Sequence, residues 1–208
     1  MITERKVKHV QKIKTIIFDL GGVVRNTDWD SIYADVAKRI GVEKNKIADY
    51  DKKNIRAMMH GEIGFDHFVA AMNIELDAKS ARRIWVEEAV KHTVIDKKVI
   101  TLIDNLRKNY CVVILSNLTE SRTLTDMHIH LYDHFDKVFL SYKEKLCKPD
   151  ERFFRLALLT TKTAPQGAIF VDDDIRNTDA AKKLGINVIA YADIEQLTDE
   201  LKKLRVQL

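Results

Sequence analysis

The sequence predicts an α/β protein, with a Rossmann-like parallel sheet covered by helices on both faces and a small all-helical cap inserted into it. Three observations support this prediction. An apolar segment rich in β-branched residues stands near the start, at 15–18, and favours a buried strand. From residue 96 onward, short apolar segments alternate with amphipathic ones, as in parallel sheets covered on both faces. The intervening stretch, 25–91, has helical spacing and no clear strand pattern.

The inserted stretch is expected to form four helices. The first covers 29–40, where Ile32, Val36 and Ile40 share one face and Gly41 ends the helix. Further helices are expected near 45–59, 64–73 and 77–92.

The second half of the chain alternates regularly between helix and strand. Each apolar strand segment is preceded by an amphipathic segment, and polar residues or glycine stand between them. We expect strands at 111–115, 138–140, 168–171 and 188–191, and helices at 96–109, 119–131, 150–160, 176–184 and 194–205.

These patterns divide the chain into three parts. Residues 1–13 form a basic tail, 14–24 and 94–208 form the core, and 25–93 form the helical cap. The formal net charge is +4. Residues 1–14 hold five basic residues against Glu4 and so carry the whole excess. Because the charge is confined to this end, no basic face is expected for nucleic acid.

Composition narrows the class further. The chain is 46% hydrophobic and 32% charged, and no apolar run reaches the roughly 18 residues of a membrane span. We expect no membrane partner. Cys111 and Cys147 fit neither a paired metal spacing nor a disulfide framework, so a cytoplasmic location is expected. The oligomeric state is not predicted.

Polar residues follow three of the predicted strands. Asp19 ends the first strand, Ser116 and Asn117 follow another, and Asp172–Asp174 follow a third. Parallel strands direct their carboxyl ends to one edge of the sheet, where open α/β proteins place their ligands. Clustered carboxylates repel one another unless a cation lies between them. Oxygen ligands without histidine or cysteine favour a hard ion, and Mg²⁺ is the expected cofactor.

Four segments in this order resemble the haloacid dehalogenase-like hydrolases: F-D-L-G-G-V-V (18–24), V-I-L-S-N (113–117), K-P-D-E-R-F-F (148–154) and F-V-D-D-D-I-R-N-T-D-A-A (170–181). The resemblance runs from about residue 14 to the C-terminus and includes the helical cap. Within the superfamily, the chain is similar to sugar-phosphate phosphatases that begin with F-D-L-G. The implied activity is Mg²⁺-dependent hydrolysis of a small phosphorylated metabolite.

The resemblance also implies a role for each motif residue. The nucleophile is Asp19, which forms an aspartyl-phosphate, and Lys148 pairs with it and with the phosphate. The ion is held by Asp19, the Gly21 carbonyl and Asp173, with Asp172 a direct or water-mediated ligand. The phosphate is bound by the Ser116 hydroxyl, the Asn117 backbone N–H and the backbone at Gly22. Asn177 either braces the acidic loop or caps a helix.

One position departs from the family pattern. Most phosphatases of the superfamily carry a second aspartate two residues after the nucleophile, and it protonates the leaving group. Here that position is Gly21, and losing such a group typically costs about 10²–10⁴-fold in rate. The proton route is left open between Asp28, a substrate hydroxyl and water. Trp29, near the expected cap hinge, is the candidate for a substrate contact.

Two other functions remain open at this point. A 2-haloacid dehalogenase attacks carbon without Mg²⁺, and the acidic cluster at 172–174 argues against it. A catalytically weak or non-catalytic binding protein with the same fold is the second alternative, and Gly21 is the residue that suggests it.

Overall fold

A computed structural model describes residues 12–208, so most of the basic tail expected at 1–13 lies outside the described residues. The strands in this range are short, and all but two belong to one sheet. They are β1 Thr15–Phe18, β2 Arg25–Thr27, β3 Thr93–Ile95, β4 Cys111–Ser116, β5 Lys137–Leu140, β6 Ala168–Asp172 and β7 Asn187–Ala190.

The helices fill the intervals that the amphipathic patterns predict, except for the short α7, which was not predicted. Among residues 12–208, none of them combines the length and the apolar character that crossing a membrane requires. They are α1 Trp29–Ile40, α2 Lys44–Met59, α3 Phe65–Met72, α4 Ala78–Lys91, α5 Lys97–Leu106, α6 Glu120–His128, α7 Ser141–Glu144, α8 Glu151–Thr160, α9 Ile175–Lys183 and α10 Ile194–Lys203.

The main sheet has the strand order β5-β4-β1-β6-β7, and every neighbouring pair is parallel. The predicted Rossmann-like fold class is therefore confirmed. The central strand β1 lies between β4 and β6, with Phe18 paired to Ile114 on one side and to Val171 on the other. This register brings the carboxyl ends of three distant segments to one edge, directly beside Asp19.

Both faces of the sheet are buried. Along β1, Ile16 and Phe18 contribute to one hydrophobic cluster and Ile17 to another, and all three are fully buried. This alternation follows from the two-residue period of a strand. The first cluster includes Ile103 of α5, and the second includes Phe153 of α8.

Helices α1–α4 have a hydrophobic cluster of their own, with Ile32, Phe68 and Trp85 among its buried members. Helix α1 ends at Gly41, whose φ of 75° is left-handed. Asp77 caps α4 by accepting a hydrogen bond from the Ser80 backbone N–H. We propose the cap boundaries 25–93 because this cluster is separate from the two that line the sheet.

The prediction that no strand lies between residues 25 and 91 is wrong. Arg25–Thr27 forms β2, which pairs antiparallel with β3 at Thr93–Ile95. The segment R-N-T is too short and too polar to show a period of two. Its partner stands 66 residues away, where the Thr27 and Thr93 hydroxyls lie 3.2 Å apart. The paired strands connect the cap helices to the sheet.

Candidate active site

The side chain of Asp19 lies at the end of β1 and is held by two donors. Its backbone N–H donates to the Val171 carbonyl (2.9 Å), which continues the pairing with β6. The side-chain Oδ1 of Asp19 accepts a hydrogen bond from the Ser116 hydroxyl (2.6 Å) and forms an ion pair with Lys148 Nζ (2.9 Å). Within the described residues Oδ2 makes no hydrogen bond, so one oxygen of the carboxylate is free to react.

Three carboxylates meet at this edge of the sheet. Asp19, Asp172 and Asp173 each offer an oxygen, and these oxygens all lie within 4.8 Å of one another. Such a cluster is electrostatically unfavourable without a cation, and an all-oxygen set suits a hard divalent ion. The donor set therefore fits Mg²⁺.

The two neighbouring aspartates have different surroundings. Asp172 is fully buried, and its oxygens accept from Lys148 Nζ (2.6 Å), from the Asp174 backbone N–H (2.7 Å) and from the Asn177 amide (3.1 and 3.2 Å). Asp173 is exposed and its carboxylate makes no hydrogen bond within residues 12–208. Desolvation, complete at Asp172 and partial at Asp173, raises the pKa of both carboxyls; repulsion from Asp19 adds to this shift and Lys148 opposes it. The free carboxylate of Asp173 is thus the one available as a direct metal ligand.

Gly22 shapes the position of Asp173. Its φ is +72°, and a Cβ added there would overlap the Asp173 carboxylate. At Gly21 an added Cβ would meet nothing within 4 Å. From the sequence, the backbone at Gly22 was predicted to bind phosphate. In the structure, the atoms nearest to a Cβ added at Gly22 belong to Asp173.

Replacing Gly22 with alanine should therefore weaken Mg²⁺ binding. The new methyl group displaces the Asp173 carboxylate, and the left-handed backbone adds a cost of roughly 1 kcal/mol. Gly41 is the matched control, because its φ is +75° but its Cβ would meet nothing within 4 Å. We expect both variants to lose stability in thermal unfolding and only Gly22→Ala to lose Mg²⁺ affinity in calorimetry. Equal Mg²⁺ affinities in the two variants would contradict this role.

Lys148 is buried between two carboxylates. Burial by itself would lower the pKa of its ammonium, but Asp19 and Asp172 together raise that pKa above its usual value. The amide of Asn117 holds the lysine backbone: its Oδ1 accepts from the Lys148 N–H and its Nδ2 donates to the Lys148 carbonyl, both at 2.8 Å. The sequence analysis assigned only the Asn117 backbone to the site and did not predict this role of its side chain.

The start of α9 supports the acidic loop. Asn177 is buried and donates to Asp172, whereas the cap of α9 is Asp174, which accepts from the Arg176 backbone N–H (2.9 Å). The Arg176 side chain holds the pKa of Asp174 below its usual value. Of the two roles considered for Asn177, the structure places the side chain in the bracing position.

A cleft of about 270 Å³ lies between this edge of the sheet and the cap. On the sheet side the cleft is lined by three aspartates and by Ser116, Asn117, Lys148 and Asn177, and on the other side by residues that approach from the cap and α6. The complete lining is Asp19, Gly21, Arg25, Trp29, Ser116, Asn117, Leu118, Arg122, Lys148, Asp173, Asp174 and Asn177.

Residues 16–191 match the sequence profile of the haloacid dehalogenase-like hydrolases. This chain belongs to that family. The chain is 26% identical over 186 residues to the D-ribitol-5-phosphate phosphatase of Bacteroides thetaiotaomicron, and the match covers 83% of this chain and 89% of that protein.

Solved structures agree with the family assignment. A haloacid dehalogenase family enzyme of Bacteroides thetaiotaomicron, in complex with magnesium and inorganic phosphate, is similar with a TM-score of 0.74 and 25% identity, covering 89% of this chain and 98% of that one. A 2-haloacid dehalogenase of Pseudomonas syringae has a TM-score of 0.65 at 17% identity, covering 92% and 99% of the two chains. The second likeness concerns the fold only.

The two remaining candidates of this hydrolase, Asp28 for the proton route and Trp29 for a substrate contact, have different positions. Asp28 caps α1, accepting from the backbone N–H (3.1 Å) and the hydroxyl (2.7 Å) of Ser31, and it is not among the cleft residues. Trp29 does line the cleft, but one face of its ring is covered by the Arg122 guanidinium, 4.2 Å from the ring centre.

The cleft residues that were not predicted from the sequence include two arginines, Arg25 and Arg122. Arg25 is buried in an ion pair with Asp126 of α6, with Nε 2.6 Å from Oδ1 and Nη2 3.1 Å from Oδ2. Burial raises the pKa of Asp126 even though Arg25 opposes that shift. A charged residue directly after the apolar pair Val23 and Val24 was the only sequence signal for Arg25. Arg122 had none, because its partners are distant in the chain.

Proposed function

We propose that this hydrolase is a Mg²⁺-dependent phosphatase that cleaves the phosphate ester of a small metabolite. The observation that carries the proposal is the cluster of three carboxylates within 4.8 Å of one another, two of which pair with a buried lysine. Its similarity to a ribitol-5-phosphate phosphatase supports a sugar or polyol phosphate as the substrate class.

The proposed reaction has two displacements at phosphorus. An oxygen of Asp19 attacks phosphorus, the bond to the leaving oxygen breaks with its electron pair, and an aspartyl-phosphate forms. Water then attacks the same phosphorus, which releases inorganic phosphate and restores the Asp19 carboxylate. Lys148, the Ser116 hydroxyl and the Asn117 backbone N–H stabilise the phosphoryl oxygens in both steps.

The metal would be held by the carboxylates of Asp19 and Asp173 and by the Gly21 carbonyl, and it would neutralise charge on the phosphoryl group. Asp172 pairs with Lys148 instead of holding the metal. Its oxygens are occupied by Lys148, Asn177 and the Asp174 N–H, so it keeps the lysine charged and in place. No carboxylate stands at Gly21, and Asp28 is engaged as a helix cap. Protonation of the leaving oxygen therefore falls to a substrate hydroxyl or to water.

Removing the metal should stop turnover. We expect the purified protein to hydrolyse p-nitrophenyl phosphate with Mg²⁺, to lose this activity with EDTA and to regain it when Mg²⁺ is added in excess. A colorimetric assay of p-nitrophenol release measures this. Halide release from 2-haloacids in EDTA would instead identify a dehalogenase. A protein that binds Mg²⁺ but turns over no member of a broad phosphate panel would be a binding protein.

A further inference from the structure

Arg122 lines the same cleft as Asp19, yet the proposed reaction does not use it. It lies in the first turn of α6, where its backbone N–H donates to the Thr119 hydroxyl (3.3 Å). Its side chain extends to the cap, where Nη2 donates to Asp51 of α2 (3.1 Å) and the guanidinium covers the Trp29 ring at 4.2 Å. Only 16% of the side chain is exposed. The contacts with Asp51 and Trp29 thus hold this guanidinium at one position in the cleft.

The held guanidinium still has donors to offer. A guanidinium carries five N–H groups in a rigid plane, and the hydrogen bonds of the described residues use only Nη2 of Arg122. The Trp29 ring lies against the guanidinium without accepting a hydrogen bond from it. Unused N–H groups at the wall of a cleft are suited to oxygen atoms of a bound molecule.

The charge around Arg122 is balanced. Asp51 neutralises Arg122, and Asp126 neutralises Arg25, the other cleft arginine. This wall therefore presents hydrogen-bond donors without a net positive charge. A neutral, hydroxyl-bearing group is well matched to it, whereas a second anionic group would approach Asp51 without a surplus cation to compensate.

The cleft also has room for such a group. An added Cβ at Gly21 would meet nothing within 4 Å, so the floor of the cleft beside Asp19 is open. The cleft volume is about 270 Å³, whereas a single water molecule needs only about 10–15 Å³ of such space. This suffices for a phosphoryl group and a small leaving group.

We infer that Arg122, held by Asp51 and Trp29, is the residue that selects the leaving group, and that its free N–H donors bind the hydroxyl groups of a neutral polyol or sugar. The inference rests on the proposed phosphatase activity, for which Arg122 has no role in the chemistry at phosphorus. It is a specificity-determining residue contributed by the core and positioned by the cap.

Two matched compounds test this inference. Ribitol 5-phosphate and n-pentyl phosphate are both primary alkyl phosphates of the same chain length, and only the first carries hydroxyl groups. Their competitive inhibition constants are measured against p-nitrophenyl phosphate hydrolysis in wild type, Arg122→Met and Arg122→Lys. Arg83→Met is the control, because Arg83 is 71% exposed on α4. Thermal unfolding of each variant checks that it folds.

We expect Arg122→Met to raise the inhibition constant of ribitol 5-phosphate relative to that of n-pentyl phosphate by about 10–100-fold. This is the usual effect of losing hydrogen bonds from a charged donor. Arg122→Lys should recover part of this ratio, and Arg83→Met should keep the wild-type ratio. An unchanged ratio in Arg122→Met overturns the inference. A folded Arg122→Met protein without p-nitrophenyl phosphate turnover also overturns it, because Arg122 would then act at phosphorus. Absence of turnover in wild type would instead reject the proposed function itself.

Asp51→Asn tests the charge balance separately, and it also serves if Arg122→Met fails to fold. Asparagine still accepts the Arg122 hydrogen bond but leaves the guanidinium charge uncompensated. We expect 3-phosphoglycerate, whose leaving group carries a carboxylate, to inhibit this variant several-fold more strongly than wild type. The inhibition constant of ribitol 5-phosphate should stay unchanged. If the inhibition constants of both compounds change by the same factor, the charge balance of this wall does not select the leaving group.

Discussion

Asp19→Asn protein is expected to fold normally and to lose turnover of p-nitrophenyl phosphate by roughly 10⁴–10⁶-fold, the range for removal of a covalent nucleophile or its partner in other enzymes. The amide has the same shape as the carboxylate and its oxygen still accepts from Ser116 and Lys148, which contact Asp19 at 2.6 and 2.9 Å. It has no negative charge with which to attack phosphorus. Initial rates at saturating Mg²⁺ measure the loss.

The matched control for this variant is Asp28→Asn. Asp28 caps α1, and asparagine is as good a helix cap as aspartate. We expect Asp28→Asn to keep the activity and melting temperature of wild type. If Asp19→Asn retained more than a tenth of the wild-type rate, an aspartyl-phosphate at Asp19 would be excluded.

Replacing Lys148 with methionine is expected to reduce both stability and activity. The side chain of Asp172 is fully buried, and Lys148 Nζ is the cation that it contacts, at 2.6 Å. Removing one partner of a buried pair typically costs about 3–5 kcal/mol, which lowers the melting temperature by roughly 6–20 °C at this chain length. Losing a preorganised positive charge at the phosphoryl group should also slow turnover roughly 10³-fold. Calorimetry without Mg²⁺ and steady-state rates with Mg²⁺ measure the two effects.

The stability loss in Lys148→Met should depend on pH. Burial already raises the pKa of Asp172 with the lysine present, and removing the lysine raises it further. A folded-state pKa above the unfolded value means that the folded protein holds the proton more tightly, so stability falls as pH rises. We expect the deficit relative to wild type to be small in acid and to grow toward neutral pH.

Two further variants separate this effect from general damage. Lys145→Met makes the same substitution at an exposed position three residues away, and its stability should stay within about 0.5 kcal/mol of wild type. Adding Asp172→Asn to Lys148→Met should remove the pH dependence of the deficit without restoring turnover. A deficit of equal size at pH 5 and pH 8 would falsify the buried-pair account.

Much of the fold was predictable because strands and helices leave periodic patterns. Apolar segments such as 168–171 and amphipathic segments such as 29–40 predicted the elements that the structure contains, with small differences at their ends. The link formed by β2 and β3 was not predictable in this way. Three polar residues have no period, and their pairing depends on a partner 66 residues away in the chain.

The candidate site was predictable to a different extent. Strand-end positions identified Asp19 and the acidic run at 172–174, because parallel strands share an edge. Which aspartate is free was not predictable, since it depends on Lys148, Asn177 and a backbone N–H turning toward Asp172. The amide of Asn117 on the Lys148 backbone likewise required the folded arrangement.

From local pattern alone, the chain specifies the strands of its main sheet, most of its helices and the polar residues that end the strands. Such information depends on residue type and spacing, which act over a few neighbouring positions. The contacts that shape the candidate site join residues far apart in the chain: Arg122 with Trp29 and Asp51, and Gly22 with Asp173. They form only when the packed sheet and cap bring those segments together, because no local periodicity records a distance between them.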